Sequence, residues 1–186
     1  MVAFFRYLDS DGDGIPHRTL PGRHPKGAYF TRGSGHTRLG AYTESASAYK
    51  EVVDRLLVKW ETARSLVPEP EIVYSKFNKA AILTVGSGNG ACKEALDRLN
   101  KQNIGLNYCR VKAFPFSESV KEFIDKHEVV YVVEQNRDAQ LRTLLILDSE
   151  VSPDKLKSLL HYNGLPINPG FVVNKVLEEI SKGRAA

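Results

Sequence analysis

Only two cysteines occur among the 186 residues, and they form no C-x-x-C pair. Cys92 and Cys109 are too few to ligate an iron–sulfur cluster by themselves, so the chain reads as a reduced, cytoplasmic protein. No apolar run approaches the roughly 20 residues needed to span a bilayer, and the opening MVAFFRYLDSDGDG turns acidic too soon for a signal peptide. Acid is missing altogether from Gly14 to Thr43, a stretch that holds Arg18, Arg23, Lys26, Arg32 and Arg38 with His17, His24 and His36. Such a segment attracts anions. Its aromatics, Tyr29, Phe30 and Tyr42, make no nucleic-acid stacking pattern, so a carboxylate, a phosphate or an acidic partner surface is the expected counterpart, not nucleic acid. A complete hydrolytic or metal site is missing as well, because the five histidines are scattered and no serine sits in a nucleophile elbow.

What is present divides into an arm and a domain. Residues 1–44 are rich in glycine and contain three prolines, a pattern of turns draped over a surface with few apolar runs to bury. Asp9, Asp11 and Asp13, with Gly12 and Gly14 between and beside them, copy the first half of a calcium loop. The position that calls for a bidentate glutamate, twelfth from Asp9, is Leu20, so a tight Asp/Gly turn is the better reading and a metal site the weaker one. Residues 45–65 form one amphipathic helix, with Tyr49, Val52, Val53, Leu56, Leu57 and Trp60 expected to bury one side. Val67-Pro68-Glu69-Pro70-Glu71 is an extended linker. The expected organisation is therefore an arm and linking helix at 1–66, a linker at 67–71 and a domain at 72–186.

From Ile72 onward the pattern is α/β. Ile72 to Tyr74 is an edge strand, Ala80 to Val85 a buried one, followed by a glycine turn and a helix through Ala91, Ala95, Leu96 and Leu99. Leu106 to Val111 is a strand, a helix opens at Ser117 or Glu118, and Ala139 to Leu147 is helical. Pro153 to Tyr162 fits helix or strand. Asn168 caps a last helix with Pro169 in its first turn. The alternation predicts a three-layer α/β/α domain around a mostly parallel sheet.

Val129 to Val133 is an unbroken apolar run, as in a central strand buried on both faces, and it ends abruptly in Glu134-Gln135-Asn136-Arg137-Asp138-Ala139-Gln140-Leu141-Arg142. Open α/β sheets place ligands at such strand ends, although a solvated strand-to-helix turn has the same composition. As a structural feature, Glu134 and Asp138 are expected to pair with Arg137, Arg142 or a partner subunit. The turn Gly86-Ser87-Gly88-Asn89-Gly90 suggests a phosphate site aided by Arg110 and Lys112. Its spacing departs from G-x-G-x-x-G and no acid ends the next strand, so a plain turn is preferred. Cys92, in the first turn of the following helix, is either an activated thiol or a small packed residue.

Two stretches carry a family resemblance. Val133-Glu134-Gln135-Asn136-Arg137-Asp138-Ala139-Gln140-Leu141-Arg142 resembles the signature of the α subunit of 2-oxoacid:ferredoxin oxidoreductases of the 2-oxoglutarate type, near its C-terminal end. Asp13-Gly14-Ile15-Pro16-His17-Arg18-Thr19-Leu20-Pro21-Gly22, followed by Tyr29-Phe30-Thr31-Arg32-Gly33, is similar to a second segment of that subunit, in the same order. The resemblance implies that the final domain is like the C-terminal domain of transketolases and that the arm ends a pyrimidine-binding region. It implies an enzyme that oxidatively decarboxylates a 2-oxoacid on thiamine diphosphate and magnesium, passes electrons through iron–sulfur clusters to ferredoxin, and makes acyl-coenzyme A. Arg18 matches the arginine expected near the substrate carboxylate. Gly12-Asp13-Gly14 lacks the later Asn of the thiamine magnesium motif, the first Asn being Asn78, and the cluster ligands have no counterpart. The chain is thus expected to be structural, to bind none of these cofactors alone, and to act only with a β subunit and the rest of an α (or γ) subunit. The competing expectation is a stand-alone nucleotide- or anion-binding module.

Overall fold

The structure, a computed structural model, describes residues 4–20, 22–28, 33–75 and 79–184. Pro21 and residues 29–32, which carry part of the second motif, and Asn78 lie outside them. The chain divides into two compact units, Met1–Leu66 and Val67–Ala186.

In the first unit the turn-rich segment is fastened to α1 (Ala46–Leu66) through its backbone. Arg55 donates to the Gly14 carbonyl at 2.7 Å and the Thr62 hydroxyl to the Asp13 carbonyl at 2.6 Å. Gly14 is buried against the helix. The amphipathic pattern of α1 forecasts the helix but not its surroundings. None of its residues is fully buried, and Tyr49 and Leu57 are each 65% exposed, because a glycine-rich arm brings little apolar surface to cover them.

The second unit is an α/β/α sandwich. Its elements run β1 (Glu71–Val73), β2 (Ala80–Val85), α2 (Gly88–Asn100), β3 (Asn107–Val111), α3 (Glu118–Asp125), β4 (Val129–Glu134), α4 (Gln140–Ser149), β5 (Leu156–Leu160) and α5 (Pro169–Arg184). The sheet order is β1-β3-β2-β4-β5, parallel except for the edge strand β1. The ambiguous stretch from Pro153 resolves into one 3-10 turn, Pro153–Lys155, and the edge strand β5.

The apolar runs work because alternate side chains enter two different cores. Ala81, Leu83, Val130 and Val132 pack with α3 and α4 on one face, while Ile82, Tyr131 and Val133 pack with α2 and α5 on the other. Consequently β2 sends its chain to one face and β4 to the opposite face, and a crevice opens between their carboxyl ends. This is the switch point at which open α/β sheets bind ligands.

One buried histidine sets a pH dependence. His127 Nδ1–H donates to the Phe123 carbonyl at 2.5 Å, and its Nε2 accepts from Asn107 Nδ2 at 2.7 Å; Asn107 Oδ1 in turn accepts the Ser75 amide. Burial, opposed in part by the Phe123 carbonyl, holds its pKa below the ordinary 6.5. A histidine depressed in the folded state leaves stability unchanged above 6.5, since neither state is then charged. Stability falls as pH drops from there to the folded value, by at most about 1.4 kcal/mol per pH unit. Urea unfolding at about pH 7.5 and about pH 5.5 should show this fall in the native chain and a smaller one in His127→Gln. Equal falls in both would place the effect elsewhere.

Candidate functional site

The strand-end signature falls at this crevice, and most of its side chains are already engaged. Glu134, 3% exposed, turns its carboxylate back under α4. It accepts the amides of Leu141 at 2.7 Å and Arg142 at 3.3 Å and the Asn136 side-chain amide at 2.5 Å. Asn136 Oδ1 accepts the amides of Asp138 and Gln140. Together they cap a helix whose own N-cap residue, Ala139, has φ +52° and no capping side chain. The arginine partner expected for Glu134 is therefore replaced by backbone N–H groups. Arg142 turns away instead, donating from Nε to the Leu156 carbonyl at 3.0 Å and from Nη2 to that of Pro153 at 2.9 Å. Arg137 and Asp138 do pair, at 2.7 Å, but their side chains are 74% and 56% exposed.

Gln135 spans the crevice. Its Nε2 donates to Ser87 Oγ at 2.7 Å and its Oε1 accepts the Ile167 amide at 3.2 Å, joining the ends of β2 and β4 to the start of α5. The glycine turn thus meets the signature, although its three glycines differ in role. Gly86, at φ +60°, makes the bend; Gly88 leaves room for the Thr84 hydroxyl; Gly90 faces open space. Gly86 and Lys112 line a cleft of about 560 Å³ with Glu134, Gln135, Asn136 and Gln140. Arg110 does not join them: it lies at the β1 side of the sheet, 4.0 Å from Glu71. The apolar lining, from Phe114, Phe116, Leu141 and Leu144, escaped the sequence reading. The one signal available was the Phe-Pro-Phe triplet two residues beyond β3.

Cys92 is packed, not activated. It is fully buried and its thiol is pushed up to about 12 by burial, only partly offset by the Thr84 hydroxyl; burial pushes Cys109 to about 12 as well. The two lie on opposite faces of the sheet, Cys109 with α3 and α4 and Cys92 with α2 and α5, so they do not fit as joint ligands of an iron–sulfur cluster. In the first unit the carboxylates of Asp9, Asp11 and Asp13 lie within 4.8 Å of one another. They serve the turn itself: Asp9 accepts the amides of Gly12 and Gly14, each at 2.9 Å, and Asp13 that of Ile15 at 2.7 Å. Arg18 is exposed and has no hydrogen-bond or ion-pair partner among the described residues. No helix among the described residues is long and apolar enough to cross a membrane.

No protein-family model matches the chain. Over 156 residues, 81% of its length, it is 26% identical to the 2-oxoacid:ferredoxin oxidoreductase subunit alpha of Saccharolobus solfataricus, of which it covers 24%. Its fold matches that of the 2-oxoglutarate:ferredoxin oxidoreductase of Magnetococcus marinus, solved with 2-oxoglutarate, coenzyme A and succinyl-CoA bound. That match has a TM-score of 0.78 and 24% identity, over 96% of this chain and 31% of the other. The chain therefore spans about a quarter to a third of the proteins it matches, and it resembles part of a 2-oxoacid:ferredoxin oxidoreductase alpha subunit.

Proposed function

We propose that the chain acts as the C-terminal portion of the alpha subunit of a thiamine-diphosphate-dependent 2-oxoacid:ferredoxin oxidoreductase, with 2-oxoglutarate as the substrate to test first. The sequence similarity over 156 residues carries this reading. The signature side chains support a structural share in the work, since Glu134, Gln135, Asn136 and Arg142 are spent on holding strand ends and helix starts together. In the assembled enzyme the β subunit and the rest of the α (or γ) subunit supply thiamine diphosphate, magnesium and the iron–sulfur clusters. Coenzyme A takes up the acyl group and ferredoxin the electrons.

Arg18 is the residue of this chain we assign to the substrate, because an exposed guanidinium without a partner is available to a carboxylate in a bidentate pair. The test is reconstitution. The chain alone should not reduce ferredoxin with 2-oxoglutarate and coenzyme A, and the full complex should. Within the complex, Arg18→Ala should lower kcat/KM about 10- to 100-fold, the worth of one charge-assisted hydrogen-bond pair, with assembly by size-exclusion chromatography unchanged. An unaltered kcat/KM would remove Arg18 from the substrate site. Turnover by the isolated chain would remove the reading of it as a part.

A further inference from the structure

The cleft at the carboxyl ends of β2, β3 and β4 has a chemistry of its own. Its floor is Val111, Phe116 and Leu141, all nearly covered, while Val85, Phe114 and Leu144 stand 43%, 42% and 40% exposed around it. A concave apolar space of about 560 Å³ falls within the size usual for small-molecule sites. Three polar groups on its wall are committed, as described for Glu134, Gln135 and Asn136. Three are not. Lys112 makes no direct ion pair, although its charge reaches Glu69 and Glu71, and the Gln140 side chain makes no hydrogen bond among the described residues. The Ser87 hydroxyl accepts from Gln135 and keeps its own proton to donate.

We propose that this cleft binds an amphiphilic organic carboxylate, its aryl or branched-alkyl body on the Phe116 floor and its head group held by Lys112 and Ser87. A single lining cation, its field shared with Glu69 and Glu71, suits a monoanion. A nucleotide phosphate is less well matched, since Lys112 is the one cation among the described lining residues, although the start of α2 carries no side-chain cap at Ser87. Glu134 occupies the start of α4, and ahead of α3 Asp148 accepts the Phe116 amide. A wholly apolar ligand would leave Lys112 facing it unpaired. All of these residues belong to the second unit.

The experiment is a titration of the full chain, followed by amide NMR, with 3-phenylpropionate, its neutral amide 3-phenylpropanamide, and AMP. 3-Phenylpropionate should give saturable shifts at Lys112, Ala113 and Gln140, with the amide at least about tenfold weaker and AMP weaker still. Lys112→Met should weaken the acid about tenfold, leave the amide's binding unchanged, and leave the melting temperature where it was. Leu144→Trp, at the rim, should block both. No saturable shift by about 10 mM would overturn the proposal. So would equal binding of acid and amide, tighter binding of AMP, or indifference to either substitution.

Discussion

Replacing Glu134 with alanine should lower the unfolding free energy by about 3–5 kcal/mol, the usual cost of breaking a buried charged network. The carboxylate is 3% exposed and takes two backbone amides and one side-chain amide. Without it the amides of Leu141 and Arg142 lose their acceptor at the start of α4, and each unsatisfied donor costs about 1–3 kcal/mol. Glu134→Gln keeps an oxygen acceptor and should cost about 1–2 kcal/mol. Arg137→Ala removes only an exposed ion pair and should cost no more than about 1 kcal/mol in the isolated chain. Urea denaturation of the three variants orders them, and a Glu134→Ala loss below about 1 kcal/mol would mean that water replaces the carboxylate.

Gly14→Ala should destabilise the first unit by about 2–5 kcal/mol, through two effects at one atom. Gly14 has φ +79°, where a side chain costs about 1–2 kcal/mol. The added Cβ would also run into the backbone of α1, lying 2.7 Å from Lys59 Cα and 2.9 Å from the Arg55 carbonyl oxygen. A helix backbone cannot yield, so the turn must lift and release the bonds from Arg55 and Thr62. Gly12→Ala is the control: its φ is +84°, yet nothing lies within 4 Å of the new atom, so only the conformational cost remains. Limited proteolysis should cut the Gly14→Ala arm much faster than that of Gly12→Ala. Equal rates would show that the arm is not anchored at this point.

The fold was readable from sequence where the physics is local. Unbroken apolar runs such as Val129 to Val133 mark strands with two covered faces, and the 3.6-residue period marks α1. The stretch from Leu156 to Leu160 was not decidable because its apolar positions 156, 159 and 160 satisfy a helical spacing as well as an edge strand. In the site, the meeting of the glycine turn with the strand-end signature follows from the pairing of β2 with β4, which chain order alone does not give. The acceptor role of Glu134 was hidden. It depends on Ala139 entering the left-handed region, which swings the amides of 141 and 142 back onto a carboxylate seven and eight residues earlier. Opposite charges nearby in sequence pointed to Arg142, whose guanidinium is used on the carbonyls before and within β5. The floor of the cleft comes from the end of β3, the loop that follows it and the first turn of α4, and no single stretch records it.

The placement of the two thiols on opposite faces gives the second unit a pair of built-in clocks. A thiol held near 12 and sealed from solvent reacts with an alkylating reagent only when its own layer opens. Cys92 would time the separation of α2 and α5 from the sheet, and Cys109 that of α3 and α4. Peptide-resolved labelling at increasing urea would then tell whether the two helical layers peel away independently or leave together. Identical rates at both positions would mean that the sheet and both its coverings form one cooperative unit.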